Sequence, residues 1–287
     1  MSYNPQFTGS PEFALPAYRV LRLSGRDAVA FAQGQFMNDV AALADRQWQW
    51  SGWLNPKGRV VALFALLRLD AETLWLAGAG DMGRLADELR RYVFRSKVAI
   101  ELPDGISAVG RLGPPHNASG AFSKVDGPTD IELDLGGEAG PRSLILRAGN
   151  DVRLEGPDRS SDWFALDVAH GWPGVPGADL QRWTPQQLSL ERLNAFSVRK
   201  GCYPGQEIVA RTHFLGRSKR GIRRLTGGAP IPGALVSTAG EQSLGEVVCV
   251  SGGNALAVMP FDIADTVQMT VGGVHCAVLP LATGLER

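Results

Sequence analysis

Cysteine is scarce in this chain, whose 287 residues contain three: Cys202, Cys249 and Cys276. An odd, sparse set without CxxC spacing excludes a disulfide framework, and one chain of this kind cannot supply a four-thiolate metal site. Such cysteine usage is typical of proteins from a reducing compartment. The sequence therefore predicts a cytoplasmic protein.

Long apolar runs are also absent. The most apolar stretch, residues 60–67, is bounded by Arg59 and Arg68 and is much shorter than the roughly 20 residues that a membrane-spanning helix needs. The N-terminus lacks a basic region followed by an apolar core, which is the pattern of a secretory signal. We therefore expect no membrane association and no secretion.

The chain has no excess of charge of either sign. Lysine plus arginine and aspartate plus glutamate number 29 each, so the net charge is zero. Strong nucleic-acid binding needs clustered cations that neutralise phosphates, so this composition argues against a protein built to hold RNA or DNA. One local strip of cations is nevertheless present, and it consists of Arg211, Arg217, Lys219, Arg220, Arg223 and Arg224.

The order of the predicted elements indicates an α+β fold. Strands at 18–23, 60–67 and 97–102 are interspersed with helical patterns at 81–92 and 160–170, and they do not form a strict βαβ series. The tryptophans at 48 and 50 alternate with glutamines, as in a half-buried strand. Residues 9–13 resemble a vector-derived linker, so we assign them no structural role.

The character of the sequence changes from Lys219 onward. Short β-rich runs are separated by pairs of glycines, and Gly272-Gly273 lies between two such runs as a hairpin signal. No helical period is evident there. The last stretch of about 70 residues is therefore expected to form a small β-barrel or sandwich.

Residues 200–207, with the sequence Lys-Gly-Cys-Tyr-Pro-Gly-Gln-Glu, carry the clearest chemical signal. Two glycines and a proline disfavour both helix and strand, so Cys202 is expected near the surface. The neighbouring Arg199 and Lys200 favour its thiolate, which is the nucleophilic and metal-binding form. The alternative is a structural turn whose cysteine only packs, since free cysteine is often buried.

Two further expectations concern the residues after this loop. The apolar triplet at 208–210 is predicted to form a buried strand. His213 lies beyond the triplet, and a pair between Cys202 and His213 is one arrangement that the sequence allows. The four histidines are otherwise scattered and indicate no catalytic triad.

The loop at 200–207 resembles the signature of the YgfZ family, folate-binding proteins that are similar to the glycine-cleavage T-protein. Further segments match that family in chain order, and they are residues 33–40, 55–60, 95–98, 184–188 and 210–212. Each segment alone also fits an ordinary turn, helix end or solvated strand. Their joint occurrence in family order, over roughly residues 18–220, favours the functional interpretation.

The resemblance implies ferredoxin-like modules around a central hole, followed by a C-terminal β-barrel. The folate-binding, T-protein-like region would occupy residues 1–215, as two interleaved modules at roughly 1–105 and 106–215, and the barrel would occupy residues 216–287. The resemblance also implies tetrahydrofolate as the cofactor. It further implies a role in making or maintaining iron–sulfur enzymes, including those that thiolate tRNA, with such client proteins as partners.

Folate makes chemical demands that these segments meet. Acceptors for the N–H groups of the pterin edge are Asn38, Asp39, Gln206 and Glu207. Cations for the anionic glutamate tail are Lys57 and Arg59, or Arg95 and Lys97. Aromatic walls for the rings are Trp53 and Tyr203, with Phe36 and Trp172 as further candidates. The expected reactive residues are Cys202 and Lys200.

One departure from the relatives argues against aminomethyl transfer. Aminomethyltransferases carry an acidic pair in the strand after the first turn, whereas residues 60–67 contain no carboxylate. They also carry a glutamate before the loop that begins at Gly171, where residues 167–170 read Asp-Val-Ala-His. Positioned acid–base groups typically contribute about 10²–10⁴-fold to such steps, so we expect folate binding without transfer.

Three functions are thus compared. The first is a folate-dependent maintenance factor for iron–sulfur proteins that uses Cys202. The second is a folate-dependent aminomethyltransferase, which the missing carboxylates disfavour. The third is an RNA-binding module that uses the strip of cations at 211–224, which the neutral net charge disfavours.

Overall fold

The computed structural model describes residues 10–126, 130–149, 157–216, 218–263 and 267–287. Gly9 and Arg217, which enter the sequence expectations above, lie outside these ranges. Within them, no helix combines the length and the apolar character that crossing a membrane requires.

The described residues before position 150 contain two five-stranded sheets. Their strands are β1 (Glu12–Ala14), β2 (Arg19–Ser24), β3 (Gln47–Leu54), β4 (Val60–Arg68), β5 (Thr73–Gly78), β6 (Ala99–Glu101), β7 (Ile106–Arg111), β8 (Lys124–Asp126), β9 (Asp130–Asp134) and β10 (Ser143–Ala148). The first sheet has the order β3-β4-β5-β2-β6, and the second has the order β1-β7-β10-β9-β8. Neighbouring strands in both sheets are antiparallel, which confirms the α+β class.

Helices cover one face of the first sheet. They are α1 (Ala28–Gln35) and α2 (Met82–Arg90), whose buried side chains share a core with Leu21, Phe64 and Leu76. The carboxylate of Asp81 accepts a hydrogen bond from Arg84 N (2.9 Å) and so caps the first turn of α2. Helix α3 (Ser160–His170) has the predicted bounds, and α4 (Gln206–Leu215) follows the cysteine loop.

Strand β3 is buried on both faces, so the prediction of a half-buried strand is wrong. Trp48 and Trp50 belong to one core, where the Trp50 ring lies 4.1 Å from the ring of Trp172. Ser51 and Trp53, on the opposite face, are also buried. The alternation fails as a signal here because the glutamines beside the tryptophans lie in a sheet that is covered on both sides.

Residues 12–14 have a structural role, contrary to the sequence expectation. They form β1, which pairs with β7 at the edge of the second sheet. Phe13 is 2% exposed, and its ring makes an edge contact with Trp163 at 6.3 Å. This strand is therefore part of the hydrophobic core.

The C-terminal strands form a closed barrel, as expected. They are β11 (Arg220–Gly227), β12 (Leu235–Thr238), β13 (Ser243–Ser251), β14 (Asn254–Pro260), β15 (Met269–Val271) and β16 (Val274–Leu279), in the order β11-β14-β13-β12-β15-β16. Gly272 and Gly273 join β15 to β16 with positive φ angles, as a tight hairpin requires. The division of the chain at residue 215 stays a prediction.

The residues after the barrel return to the sheets. The indole of Trp50 donates a hydrogen bond to Leu285 O (2.8 Å), and Leu285 is fully buried. The Arg287 guanidinium lies over the Trp48 ring and donates to Asp134 O (3.0 Å). These contacts tie the end of the chain to both sheets.

Candidate functional site

Cys202 lies in an exposed loop that leads directly into α4. The loop is closed on itself by Gln206 Nε2, which donates to Lys200 O (3.0 Å), and by the Tyr203 hydroxyl, which donates to Ser197 O (3.2 Å). Gly205 adopts the left-handed conformation (φ 78°) immediately before the first residue of α4. The surface position predicted for Cys202 is therefore confirmed. The two hydrogen bonds restrain the conformation of the loop.

Residues 208–210 form part of a helix, so the prediction of a buried strand is wrong. Of the residues of α4, only Val209 is fully buried. A triplet of apolar residues fits a helical turn as well as a strand, and Gly205 reverses the chain so that the helix begins at once. Glu207 lies exposed in the first turn of α4.

The pair between Cys202 and His213 does not form. His213 lies in the last turn of α4, about 10 Å along the helix axis from Gln206. Its Nδ1 lies 3.5 Å from the carboxylate of Glu191, and its ring makes an edge contact with Phe214. No catalytic dyad is therefore assigned to the cysteine.

Lys200 is buried and joins the cysteine loop to the end of α1. Its ammonium donates hydrogen bonds to the main-chain carbonyls of Gln33 and Phe36 and lies over the ring of Tyr203 at 4.7 Å. Burial lowers the pKa of Lys200 to about 8, while the carboxylate of Asp39 acts in the opposite direction. These contacts give Lys200 a positioning role, and its expected action on the thiol stays a prediction.

A second segment, the turn between β3 and β4, packs directly against the loop. A Cβ atom on Gly205 would lie 2.6 Å from Asn55 O and 2.7 Å from the Cα of Gly58, so the two backbones touch. Asn55 Oδ1 accepts hydrogen bonds from the main chain of Lys57 (2.9 Å) and of Arg59 (3.1 Å), which shapes the turn. The Lys57 side chain is exposed and that of Arg59 is half-buried.

The residues after α1 form a third part of the junction. The Asn38 amide donates to Trp50 O (2.8 Å) and to Asn194 O (2.6 Å), and its oxygen accepts from Asp39 N (2.9 Å). The Asp39 carboxylate accepts from the Gln33 amide (3.0 Å). The hydrogen-bonding groups of Asn38 are thus engaged within the fold, and the assignment of both residues to folate stays a prediction.

The segment at 184–188 completes the junction. Gln186 is buried and donates to Val209 O in α4 (2.8 Å), and Arg59 donates to the amide oxygen of Gln187 (3.1 Å). Val60 N donates to Trp183 O (2.9 Å). Segments that are far apart in sequence therefore converge on the base of the Cys202 loop.

The segment at 95–98 lies elsewhere. Lys97 N donates to the carboxylate of Asp27 (2.6 Å), at the start of α1, whereas Lys200 contacts the end of the same helix. The length of α1, about 12 Å, separates the two positions. Arg95 and Lys97 therefore lie apart from the cysteine loop.

A cavity of about 440 Å³ lies between the first sheet, α2 and the segment at 174–181. Trp53, Ala62 and Leu63 form one side of it, and the indole nitrogen of Trp53 is buried without a hydrogen-bond partner among the described residues. Of the ten predicted site residues, only Trp53 lines this cavity. We refer to it as the Trp53 cavity.

Charged residues at the edge of the Trp53 cavity were missed by the sequence reasoning. They are Asp81, Arg84, Glu88 and Asp179. The first three recur at spacings of three and four residues, which places them on one face of a helix. That spacing could have predicted that the three side chains lie together. Asp179 lies in an irregular segment, where no sequence pattern predicts its position.

The part of β4 that lines the cavity contains no carboxylate, since residues 61–63 are Val, Ala and Leu. The acidic position on α3, Asp167, is fully buried and paired with Arg142 at 2.6 Å. Burial raises the pKa of Asp167, while the Arg142 guanidinium acts in the opposite direction. Asp167 is therefore held inside the core.

Comparison with known proteins gives concordant results. Residues 219–282 match the family model of the CAF17 C-terminal beta-barrel domain. The chain is also similar to the glycine cleavage system aminomethyltransferase T of Bartonella henselae, whose crystal structure superposes with a TM-score of 0.73 at 17% identity, covering 97% of this chain and 87% of the other. The likeness to this structure shows that the two proteins share a fold.

Several curated relatives carry the name tRNA-modifying protein YgfZ. The protein from Klebsiella pneumoniae (strain 342) is 30% identical over 232 residues, which is 75% of this chain and 71% of the relative. The protein from Hamiltonella defensa subsp. Acyrthosiphon pisum (strain 5AT) is 28% identical over 230 residues, or 73% of this chain and 68% of the relative. By this similarity in sequence, the chain belongs to the YgfZ family.

Proposed function

We propose that this protein binds tetrahydrofolate in the Trp53 cavity and supports the assembly or repair of iron–sulfur enzymes in the cytoplasm, including enzymes that modify tRNA. Its relatives are named tRNA-modifying proteins, and it shares its fold with an aminomethyltransferase T. The single observation that carries the proposed role toward client proteins is the exposed thiol of Cys202 at the junction of the family-like segments.

The position of Cys202 suits a group that acts on other proteins. The loop is closed by its own hydrogen bonds and is held to α1 through Lys200, so the thiol is presented on a rigid base. An exposed cysteine in a reducing compartment is available as a nucleophile or as a metal ligand for a client protein. A cysteine with only a packing role would instead be expected among apolar side chains.

The Trp53 cavity suits the head of a folate. Its volume lies within the range of small-molecule sites, and Trp53 with Leu63 offers flat and apolar walls. Asp81, Glu88 and Asp179 at its edge supply acceptors for the N–H donors of a pterin. The unpaired indole N–H of Trp53 is a donor that a bound ligand would satisfy. Tetrahydrofolate, when bound, supplies a carrier of one-carbon units.

Aminomethyl transfer is the second candidate function, because the chain shares its fold with an aminomethyltransferase T, and we do not propose it. Catalysis of that step requires a carboxylate that is held against the reacting nitrogen of the folate. The residues of β4 that line the cavity are apolar, and Asp167 is enclosed with Arg142. The two positions at which aminomethyltransferases carry carboxylates are therefore apolar or enclosed in this chain, which favours binding over transfer.

The proposal is tested in bacterial cells that lack their own YgfZ protein. Expression of this chain is expected to restore the level of thiolated nucleosides in tRNA, measured by mass spectrometry, and Cys202→Ser is expected to fail. Gly201→Ala is the matched control, because nothing lies within 4 Å of an added Cβ at that position. Full rescue by Cys202→Ser at equal protein levels would overturn the role of the thiol.

A further inference from the structure

A separate cavity of about 630 Å³ opens where β11 and β16 diverge at the end of the barrel. β16 pairs with β11 between Gly227 and Arg224, whereas β11 continues to Arg220 against β14 alone. On the side left free, Ile222 N donates to Ser189 Oγ (2.9 Å). The cavity therefore enters the barrel through a gap between two of its strands, and its volume suits a small molecule.

Most of the wall of this barrel cavity is apolar. Among the side chains that line it are Met259, Phe261, Ile263, Val267 and Met269. Methionine side chains are flexible and adapt to ligands of different shape, so such a wall can contact an aliphatic chain in more than one conformation. The thiol of Cys276 also lines the cavity and is 2% exposed.

The charge that faces the cavity is of one sign. Arg192, Arg223 and Arg224 line it, and the described lining residues include no carboxylate. The Nε atom of Arg224 is buried and has no hydrogen-bond partner in the described part of the chain. A buried guanidinium donor without a partner is costly, so its position calls for an anion.

The three arginines are not equivalent. Arg192 donates to the carbonyls of His170 and Ala282 (both 3.2 Å), which occupies its guanidinium within the fold. The Arg223 guanidinium donates to Phe261 O (2.7 Å). Arg223 and Arg224 are consecutive residues of β11, so their side chains leave opposite faces of the strand, Arg223 on the side of Ala257 and Arg224 on the side of Leu256. The buried donor without a partner belongs to Arg224, and a guanidinium group matches the geometry of a carboxylate.

The fold also divides the strip of cations seen in the sequence. Arg223 and Arg224 line the barrel cavity, whereas Arg211, Lys219 and Arg220 are exposed and lie outside its lining. A track for a nucleic-acid backbone needs cations that continue along a surface. Arg223 and Arg224 instead line a mostly apolar cavity.

We propose that the barrel cavity binds a medium-chain monocarboxylate, with the carboxylate at Arg224 on one side of the gap and the aliphatic chain passing through it against Met259 and Met269. The barrel cavity shares no lining residue with the Trp53 cavity. The site is therefore independent of the proposed folate function.

Calorimetric titration of the full chain with octanoate tests the proposal, with 1-octanol and inorganic phosphate as matched probes. Octanoate is expected to bind at least about tenfold more tightly than either probe, since 1-octanol lacks the charge and phosphate lacks the chain. Equal binding of octanoate and 1-octanol would overturn the role of Arg224. Equal binding of octanoate and phosphate would overturn the role of the apolar wall, and absence of octanoate binding would overturn the site.

Variants and a labelling experiment locate the bound octanoate. Arg224→Gln is expected to weaken binding about tenfold, the effect of losing one charge-assisted hydrogen bond. Arg220→Gln, an exposed residue of the same strand, should leave it unchanged. An equal loss in Arg220→Gln would contradict the assignment.

Octanoate should also slow the reaction of Cys276 with methyl methanethiosulfonate while leaving the reaction of Cys202 unaffected. This second readout uses the unmodified protein, so it decides the matter even if an arginine variant does not fold. Unchanged labelling of Cys276 at saturating octanoate would place the ligand outside the barrel cavity.

Discussion

The ammonium of Lys200 donates a hydrogen bond to the carbonyl of Phe36, a residue 164 positions earlier in the chain. The contact connects the cysteine loop to the end of α1, where the carbonyl groups of a helix lack partners within the helix. It fixes the base of the loop while Cys202 itself remains exposed.

Replacing Lys200 by Met removes this donor, and we expect the free energy of unfolding at pH 7 to fall by about 1–3 kcal/mol because buried carbonyls lose their partner. The difference in unfolding free energy between the wild type and the variant should increase as the pH rises. Burial lowers the pKa of Lys200 from its ordinary 10.5 to about 8, so between these values the unfolded chain binds more protons than the folded one, and the wild type gains stability relative to the variant.

Urea denaturation of both proteins at pH 7 and pH 10 measures this difference. Lys57→Met is the control, because the Lys57 side chain is exposed and should give no such pH dependence. If the difference in unfolding free energy between the wild type and Lys200→Met stays constant or decreases from pH 7 to pH 10, burial does not lower the pKa of this lysine.

The contact between the two turns at Gly205 and Gly58 gives a second prediction. Gly205→Ala places a Cβ 2.6 Å from Asn55 O on a residue whose φ is 78°, so we expect a loss of about 1–3 kcal/mol in unfolding free energy. Gly201→Ala, in the same loop, meets nothing within 4 Å and should change stability by less than about 0.5 kcal/mol. Thermal denaturation compares the two variants, and similar melting temperatures would refute the packing described here.

The three cysteines should differ in reactivity. Cys202 is exposed, whereas Cys249 and Cys276 are buried in the barrel. Burial raises the pKa of Cys249 to about 12, so its thiol stays protonated at pH 7, and burial also raises the pKa of Cys276. Iodoacetamide followed by mass spectrometry should therefore modify Cys202 first. Equal rates at all three positions would contradict an available thiol at Cys202.

Local patterns in the sequence predicted much of the fold, because periodicity and turn residues report on local structure. The helices predicted at 81–92 and 160–170 and the Gly272-Gly273 hairpin are of this kind. The burial of both faces of β3 depends on what packs above and below the sheet, which no local pattern contains. The strand expected at 208–210 failed because three apolar residues cannot distinguish a helical turn from a strand, and the left-handed Gly205 decides between them.

The site was predictable to a different degree. The family-like segments indicated that distant residues meet, and four of them do so around Lys200 and Gly205. Their individual roles did not follow from residue type, since the polar groups of Asn38 are used inside the fold. Asp179 lines the Trp53 cavity from an irregular segment, and its placement depends on the tertiary path of that segment.

The most direct test of the account is an anaerobic calorimetric titration with tetrahydrofolate. The wild type should bind one equivalent, and Cys202→Ala should bind within about twofold of it because the thiol lies outside the cavity lining. Ala178→Trp, which fills the Trp53 cavity with an indole, should weaken binding at least about tenfold while thermal melting confirms that it folds. Glu207→Ala should also bind tetrahydrofolate as the wild type does, because Glu207 lies outside the cavity lining. A loss of binding in this variant would place the ligand at the cysteine loop instead. Absence of binding by the wild type, or undiminished binding by a folded Ala178→Trp variant, would contradict the account.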